Sequence, residues 1–229
     1  MKRFFVLPLA AAGFFLNAQT IGNSPYAAFG IGDVKYDNTT DVNAMGGIST
    51  AYIWDFNNNF NFANPGANKN LELTTIKVEG TNENNFFKSD YDNSNVTKHS
   101  SYLSNIAIAF PLSPKVKFGM GYQPYSSKKY SVLIQEDLAD EVKRANIFRG
   151  EGTLSTVQAA LSYQISPELG LGFRTNFYFG NLYDINELTY SNAELINGYE
   201  TKNKIKTFNF TLGSAYQKKF GTDRKLTLG

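Results

Sequence analysis

The 229-residue chain contains no cysteine and a single histidine, His99. A small, loop-rich domain stapled by disulfides is therefore excluded, and an exported chain must draw its stability from size. A zinc site of the usual nitrogen and sulfur ligands cannot be assembled, and a Ser-His-Asp triad would have one candidate base. His99 stands among Thr97, Lys98, Ser100 and Ser101 at the expected start of a strand, where it reads as solvated or interfacial. Long apolar runs are missing too. After the N-terminal stretch no window approaches the roughly 20 apolar residues that a membrane-spanning helix needs. A strong charge of either sign is also lacking: the formal net charge of +2 gives no reason to expect nucleic acid. Asp90, Asp92 and Asn93 have the composition of a calcium loop but lack its glycine turn and distal Glu. Gly30-Ile31-Gly32 lacks the strand, third glycine and helix of a nucleotide-binding loop. Neither an enzyme nor a cofactor or metal site is expected.

What is present begins with Lys2 and Arg3, an apolar stretch from Phe4 to Leu16, and Leu16-Asn17-Ala18. A basic head, a short apolar core and a small residue before the cut describe a secretory signal peptide over residues 1–18, with the mature chain starting near Gln19. From there to about residue 68, Gly, Asn and Ala dominate. Turn formers recur at Ser24-Pro25-Tyr26, Met45-Gly46-Gly47 and Asn64-Pro65-Gly66, which break any sustained period and predict a compact irregular segment.

After Leu71 the pattern changes to alternation. Leu169, Leu171, Phe173, Thr175, Phe177 and Phe179 hold one parity, and Gly170, Gly172, Arg174, Asn176 and Tyr178 the other. Alternate residues of a strand point to opposite faces, so one face is greasy and the other small or polar. Ile106, Ile108 and Phe110 repeat it, as do Val116, Phe118, Met120 and Tyr122, then Val157, Ala159, Leu161 and Tyr163, then Phe208, Phe210 and Leu212. Leu112-Ser113-Pro114-Lys115, Ile165-Ser166-Pro167-Glu168 and residues 218–224 read as short turns, and 126–149 and 181–204 as long polar excursions. Short turns on one side and long loops on the other, with Phe110, Tyr163 and Tyr216 just before the turns, fit a transmembrane antiparallel β-barrel with an aromatic girdle. About seven strands are expected, near 71–82, 99–111, 116–134, 147–164, 168–190, 198–217 and from Lys225, an odd count that suggests a barrel cut short. A soluble β-sandwich or lipocalin-like barrel would alternate as well, but its polar parity would carry more Lys and Glu than Gly, Ala, Ser, Asn and Gln. Asp137, Asp140, Glu141, Lys143 and Arg144 are spaced for a short solvated helix in the first long loop.

Ser24-Pro25-Tyr26 through Gly30-Ile31-Gly32-Asp33, then Ala44-Met45-Gly46-Gly47 and Asn61-Phe62-Ala63-Asn64-Pro65-Gly66, resemble the N-terminal region of FadL-like outer membrane proteins of the Bacteroidetes type. Gly150-Glu151-Gly152, Leu161-Ser162-Tyr163, Leu169-Gly170-Leu171-Gly172 and Tyr178-Phe179-Gly180-Asn181 are similar to the barrel of that group. The resemblance implies an all-β, fourteen-stranded barrel of which residues 69–229 supply the first half, with residues 19–68 as a hatch in the lumen. It implies passive uptake of long-chain fatty acids or other hydrophobic small molecules across the outer membrane of a Gram-negative bacterium. On that reading Phe29, Ile31, Phe60 and Phe62 line an apolar pocket, and Arg174, facing the lumen, meets a hatch carboxylate such as Asp33 or the ligand's own. The alternative is a non-transporting barrel subunit of a secretion or assembly machine, as in PorV-like proteins of type IX secretion, with a large outer membrane partner and no specific lipid beyond the surrounding membrane.

Overall fold

The computed structural model describes residues 24–35, 39–88, 95–137, 142–192, 197–221 and 224–229. The expected signal peptide, and Asp90, Asp92 and Asn93, lie outside them. Among the described residues no helix is long and apolar enough to cross a membrane. The chain is instead one antiparallel sheet of nine strands: β1 (Asp33–Val34), β2 (Thr75–Lys88), β3 (Asn95–Pro111), β4 (Val116–Ser127), β5 (Tyr130–Asp137), β6 (Lys143–Gln164), β7 (Leu169–Tyr190), β8 (Asn197–Phe220) and β9 (Arg224–Leu228). Their order is β2-β3-β4-β6-β7-β8-β9, with β5 continuing the line of β4 along β6 and β1 added to the far end of β4. The sheet is open: in the described chain β2 and β9 are its two edges, so a closed barrel is not what this sheet forms by itself.

The outward rows can be followed strand by strand. One runs Val78, Ile106, Tyr122, Val157, Phe177, Phe208; the next, Ile76, Ile108, Met120, Ala159, Thr175, Phe210; the third, Phe110, Phe118, Leu161, Phe173, Leu212. These residues are half-buried to exposed, Leu212 reaching 84%. The opposite parity is the buried one: Ala107, Ala109, Lys117, Gln123, Thr156, Gln158, Ala160, Ser162, Arg174, Asn176 and Ala215. The fold therefore inverts the ordinary rule of apolar residues inside. Its core sits on the small, polar face, where the chain before β2 packs.

That segment holds a 3-10 turn at Pro25–Ala28, β1, the short helix α1 (Thr40–Ala44) and a 3-10 turn at Pro65–Ala67. Ser24 and Asn64 cap the two 3-10 turns, accepting from the N–H groups of Tyr26 and Gly66, and Pro follows each cap, where a missing N–H costs nothing. Phe60, Phe62 and Leu71 pack with Ala107, Ala109 and Ala160 of the sheet, and Ile53 and Ala67 with Ala215.

Two expectations are corrected here. The stretches 126–149 and 181–204 are not mainly loops: β5, β6, β7 and β8 run on through them, paired from Tyr130–Gly150 to Asp137–Lys143 and from Asn181–Lys204 to Leu188–Asn197. Asp137, Lys143 and Arg144 are accordingly strand residues, with Arg144 bonded to Glu136 directly across the ladder, and no helix forms there among the described residues. The expected single strand over 116–134 is two, because the chain breaks at Lys128 and Lys129. There Lys128 N–H donates to the Gly152 carbonyl at 2.9 Å, and Gly152 holds a φ of 126° that favours glycine.

Candidate functional site

The inner face is filled by close approach. Gly170, Gly172 and Gly213 leave room for the Pro65–Gly66 backbone, and a Cβ at Gly66 would fall 2.8 Å from the Gly213 carbonyl oxygen. Asn64 joins the segment to the wall, its Nδ2 donating to the carbonyls of Thr50 at 2.5 Å and Ser214 at 2.8 Å. Asn61 and Asn68 cross-link the same turn: Asn61 N–H donates to Asn68 Oδ1 at 2.6 Å, and Asn68 Nδ2 to the Asn61 and Pro65 carbonyls. Asn61, Asn64 and Asn68 thus satisfy buried backbone groups. Higher up, Lys128 is buried, with its ammonium 2.7 Å from Asp184, which also accepts from the Tyr130 hydroxyl at 3.0 Å.

A second feature is a gap in the wall. β3 and β4 pair only from Pro111–Lys117 to Ile106–Tyr122. Past that point β3 bulges, its register shifting between Glu79 and Gly80 of β2 so that Ser104 is left over. β4 bulges between Pro124 and Ser126, and Pro124 has no N–H for a ladder. β1 occupies the vacated edge, Asp33 opposite Ser127 and Val34 opposite Ser126, and Lys35 N–H donates to the Tyr125 carbonyl at 2.7 Å. Lys35 Nζ lies 2.8 Å from Glu83, and the Tyr102 hydroxyl donates to the same carboxylate at 2.6 Å. These three side chains border a polar cavity of about 350 Å³ lined also by Thr81, Asn85 and Asn43.

The expected site residues do not converge. Phe60 and Phe62, 5% and 6% exposed with ring centroids 4.7 Å apart, are packing residues, and the space beside them measures about 10 Å³. Phe29 is 78% exposed. Ile31 borders a different hollow of about 360 Å³ with Tyr125, Leu154, Tyr178 and Ile205. Arg174 is buried on the inner face as its parity requires, level with Ala160 and Thr211. Asp33 is level with Ser127, hence with Thr153 of β6, and seven residues along β6 from Ala160 is roughly 23 Å, so Arg174 and Asp33 do not meet. His99 Nδ1 lies 2.6 Å from Asn84 Oδ1 in the β2–β3 ladder. Among the described residues no group of three His, Cys, Asp or Glu gathers as a metal would need. The Lys35–Glu83–Tyr102 group escaped sequence reasoning because it joins residues far apart in the chain through a bulge that leaves no sequence signature.

A family model described as BamG matches residues 1–229, the whole chain. The chain belongs to the BamG family. No curated protein and no solved structure matches it. Membership of BamG, a family related to the Bam complex of the outer membrane, corrects the functional expectation: the chain is not assigned to FadL-type transporters, and neither fatty-acid uptake nor type IX secretion finds support. Of the aromatics expected to hold a hydrophobic ligand, Phe60 and Phe62 pack against the sheet while Phe29 is exposed.

Proposed function

We propose that this chain is a structural, non-catalytic β-barrel subunit associated with the Bam complex, and that residues 24–71 are its built-in plug. The observation that carries the reading is the inverted wall. Leu169 to Phe179 presents an unbroken outward parity over eleven residues, ten steps or about 33 Å of strand, or about 25 Å along a membrane normal at a tilt of about 40°, the height of a barrel's apolar band. The inner parity, in contrast, is buried under the chain's own Asn- and Pro-anchored segment. In a closed wall β2 and β9 pair with further strands, since lipid leaves no backbone group unpaired; fourteen is the strand number proposed, with residues 1–18 as the export signal. A plug fixed through Asn64 and Phe60 suits a seal better than a gate.

The test is purification of the tagged full-length protein in mild detergent from its native membrane, with the composition of the particle measured. A stoichiometric complex containing the Bam machinery is expected. A lone barrel in every mild detergent tried would contradict the proposal.

A further inference from the structure

The β8–β9 hairpin differs from the other short turns. The β3–β4 and β6–β7 connections turn back at Leu112–Lys115 and Ile165–Glu168, and Leu169, Tyr216 and Leu228 form the last row that β7, β8 and β9 share. Beyond it β8 continues to Phe220 and β9 starts at Arg224, so the hairpin runs four residues, roughly 13 Å, past its neighbours. Directly paired residues share a face. Tyr216 with Leu228, Lys218 with Leu226 and Phe220 with Arg224 therefore lie on the outward side, continuous with Leu212 and Phe210 above. All but Tyr216 are exposed, and Lys218 Nζ stands 5.8 Å from the centroid of the Phe220 ring.

The inward side of the hairpin is also basic. Lys219 faces Lys225, and Lys225 is held 2.6 Å from Asp55 of the N-terminal segment. Burial, and then the charges of Lys219 and Lys225, hold Lys69 below the ordinary lysine range. Lys69, Lys218, Lys219, Arg224 and Lys225 thus outnumber Asp55, Glu168 and Asp223, the acid that precedes Arg224 in the sequence.

We propose that the outward face of this hairpin, Lys218 and Arg224 with Tyr216, Phe220 and Leu226, binds the phosphate headgroups of anionic phospholipids at the short-turn side of the membrane. The inference rests on the membrane-wall reading above. With Tyr216 at the border of the apolar band, Lys218 lies one outward row further, about 5 Å along the normal, inside a headgroup layer that is about 5–8 Å deep. Arg224 and Phe220 lie about 10 Å below the border, within reach of the same layer through a long side chain. Aromatic rings beside cations on one amphipathic face suit an acyl–headgroup boundary, and each cation near an anionic surface adds roughly five-fold to association.

The full chain is reconstituted into phosphatidylcholine vesicles containing phosphatidylglycerol, and lipids retained after detergent extraction are counted by native mass spectrometry. The wild type is expected to keep phosphatidylglycerol over phosphatidylcholine by at least ten-fold. The preference is expected to fall at least five-fold in K218Q/R224Q and in K218E/R224E, and to persist in K218R. Equal retention of the two lipids, or a preference that both double variants leave intact, would overturn the proposal. So would loss of a salt-sensitive stoichiometric protein partner, and no change in lipid, on the double substitution, which would assign the face to protein docking. Flotation of the vesicles separates the two readings: a chain that does not float with them overturns the membrane wall itself, whereas floating without lipid preference overturns this site alone.

Discussion

At the scale of single residues the account depends on a division between aromatics that close the structure and aromatics that face outward. Phe60 belongs to the first kind. A Cβ at Gly119 would meet its ring at 2.8 Å, so ring and glycine are fitted to each other. Truncation leaves a cavity between the N-terminal segment and the sheet, and Phe60→Ala is expected to lower stability by about 3–5 kcal/mol. Phe29, exposed on its turn, is expected to cost under about 0.5 kcal/mol on the same change. Urea unfolding of both variants in the same detergent, followed by tryptophan fluorescence of Trp54 and by protease resistance of residues 24–71, measures the contrast. Equal effects would mean that Phe60 does not pack as described. The grouping of these phenylalanines as ligand-lining came from the resemblance to FadL-like proteins; spacing reports the parity of an element and not what lies opposite in an irregular segment. The correct signal was the glycines of the facing strands, whose lack of a side chain admits a ring or a backbone.

At the scale of elements, alternation made the lower halves of β3, β4, β6, β7 and β8 legible, because one face of each is apolar and the other is not. It failed for the upper halves. Above the Phe179 row both faces mix polar and apolar residues, so no period-2 contrast remains, as in the stretch from Asn181 to Tyr190, where Leu182 and Leu188 share one parity with Asp184 and Asn186, and Ile185 the other with Glu187. Pairing there is held by the backbone ladder and by cross-strand bonds such as Arg149 to Glu187, which composition mistakes for loop. β1 was illegible for another reason: two residues cannot show a period, and their strand character comes from the edge that β3 leaves on β4. That docking can be tested. Lys35→Pro removes both the N–H that donates to Tyr125 and the ammonium that pairs with Glu83, whereas Lys35→Met removes the ammonium alone. Amide exchange at Asp33 and Ser127, the hydrogen-bonded pair next to Lys35–Tyr125, is expected to rise at least ten-fold in Lys35→Pro and less in Lys35→Met, with the β6–β7 ladder unchanged, since a lost buried bond costs about 1–3 kcal/mol. Unaltered exchange at Asp33 and Ser127 in Lys35→Pro would show that β1 is not held through this contact.

At the scale of the whole molecule, the sheet reverses the usual placement of polar and apolar residues, and on the proposed reading a second apolar phase is what stabilises that arrangement. In water the rows through Phe173, Phe177, Phe208 and Phe210 would form an exposed patch far larger than a soluble monomer ordinarily tolerates. In a bilayer the same rows are solvated by lipid, and the inward parity is the buried one. The natural absence of cysteine makes this claim directly measurable. Single cysteines are placed at outward Val157, Phe173 and Phe210 and at inward Gln158, Asn176 and Asn209 of the full chain in vesicles, and each is reacted with a lipid-dissolved and a water-dissolved maleimide. Outward sites are predicted to react with the lipid-dissolved reagent and resist the water-dissolved one, and inward sites to resist the lipid-dissolved reagent. Ready labelling of Val157, Phe173 and Phe210 from water would contradict the account.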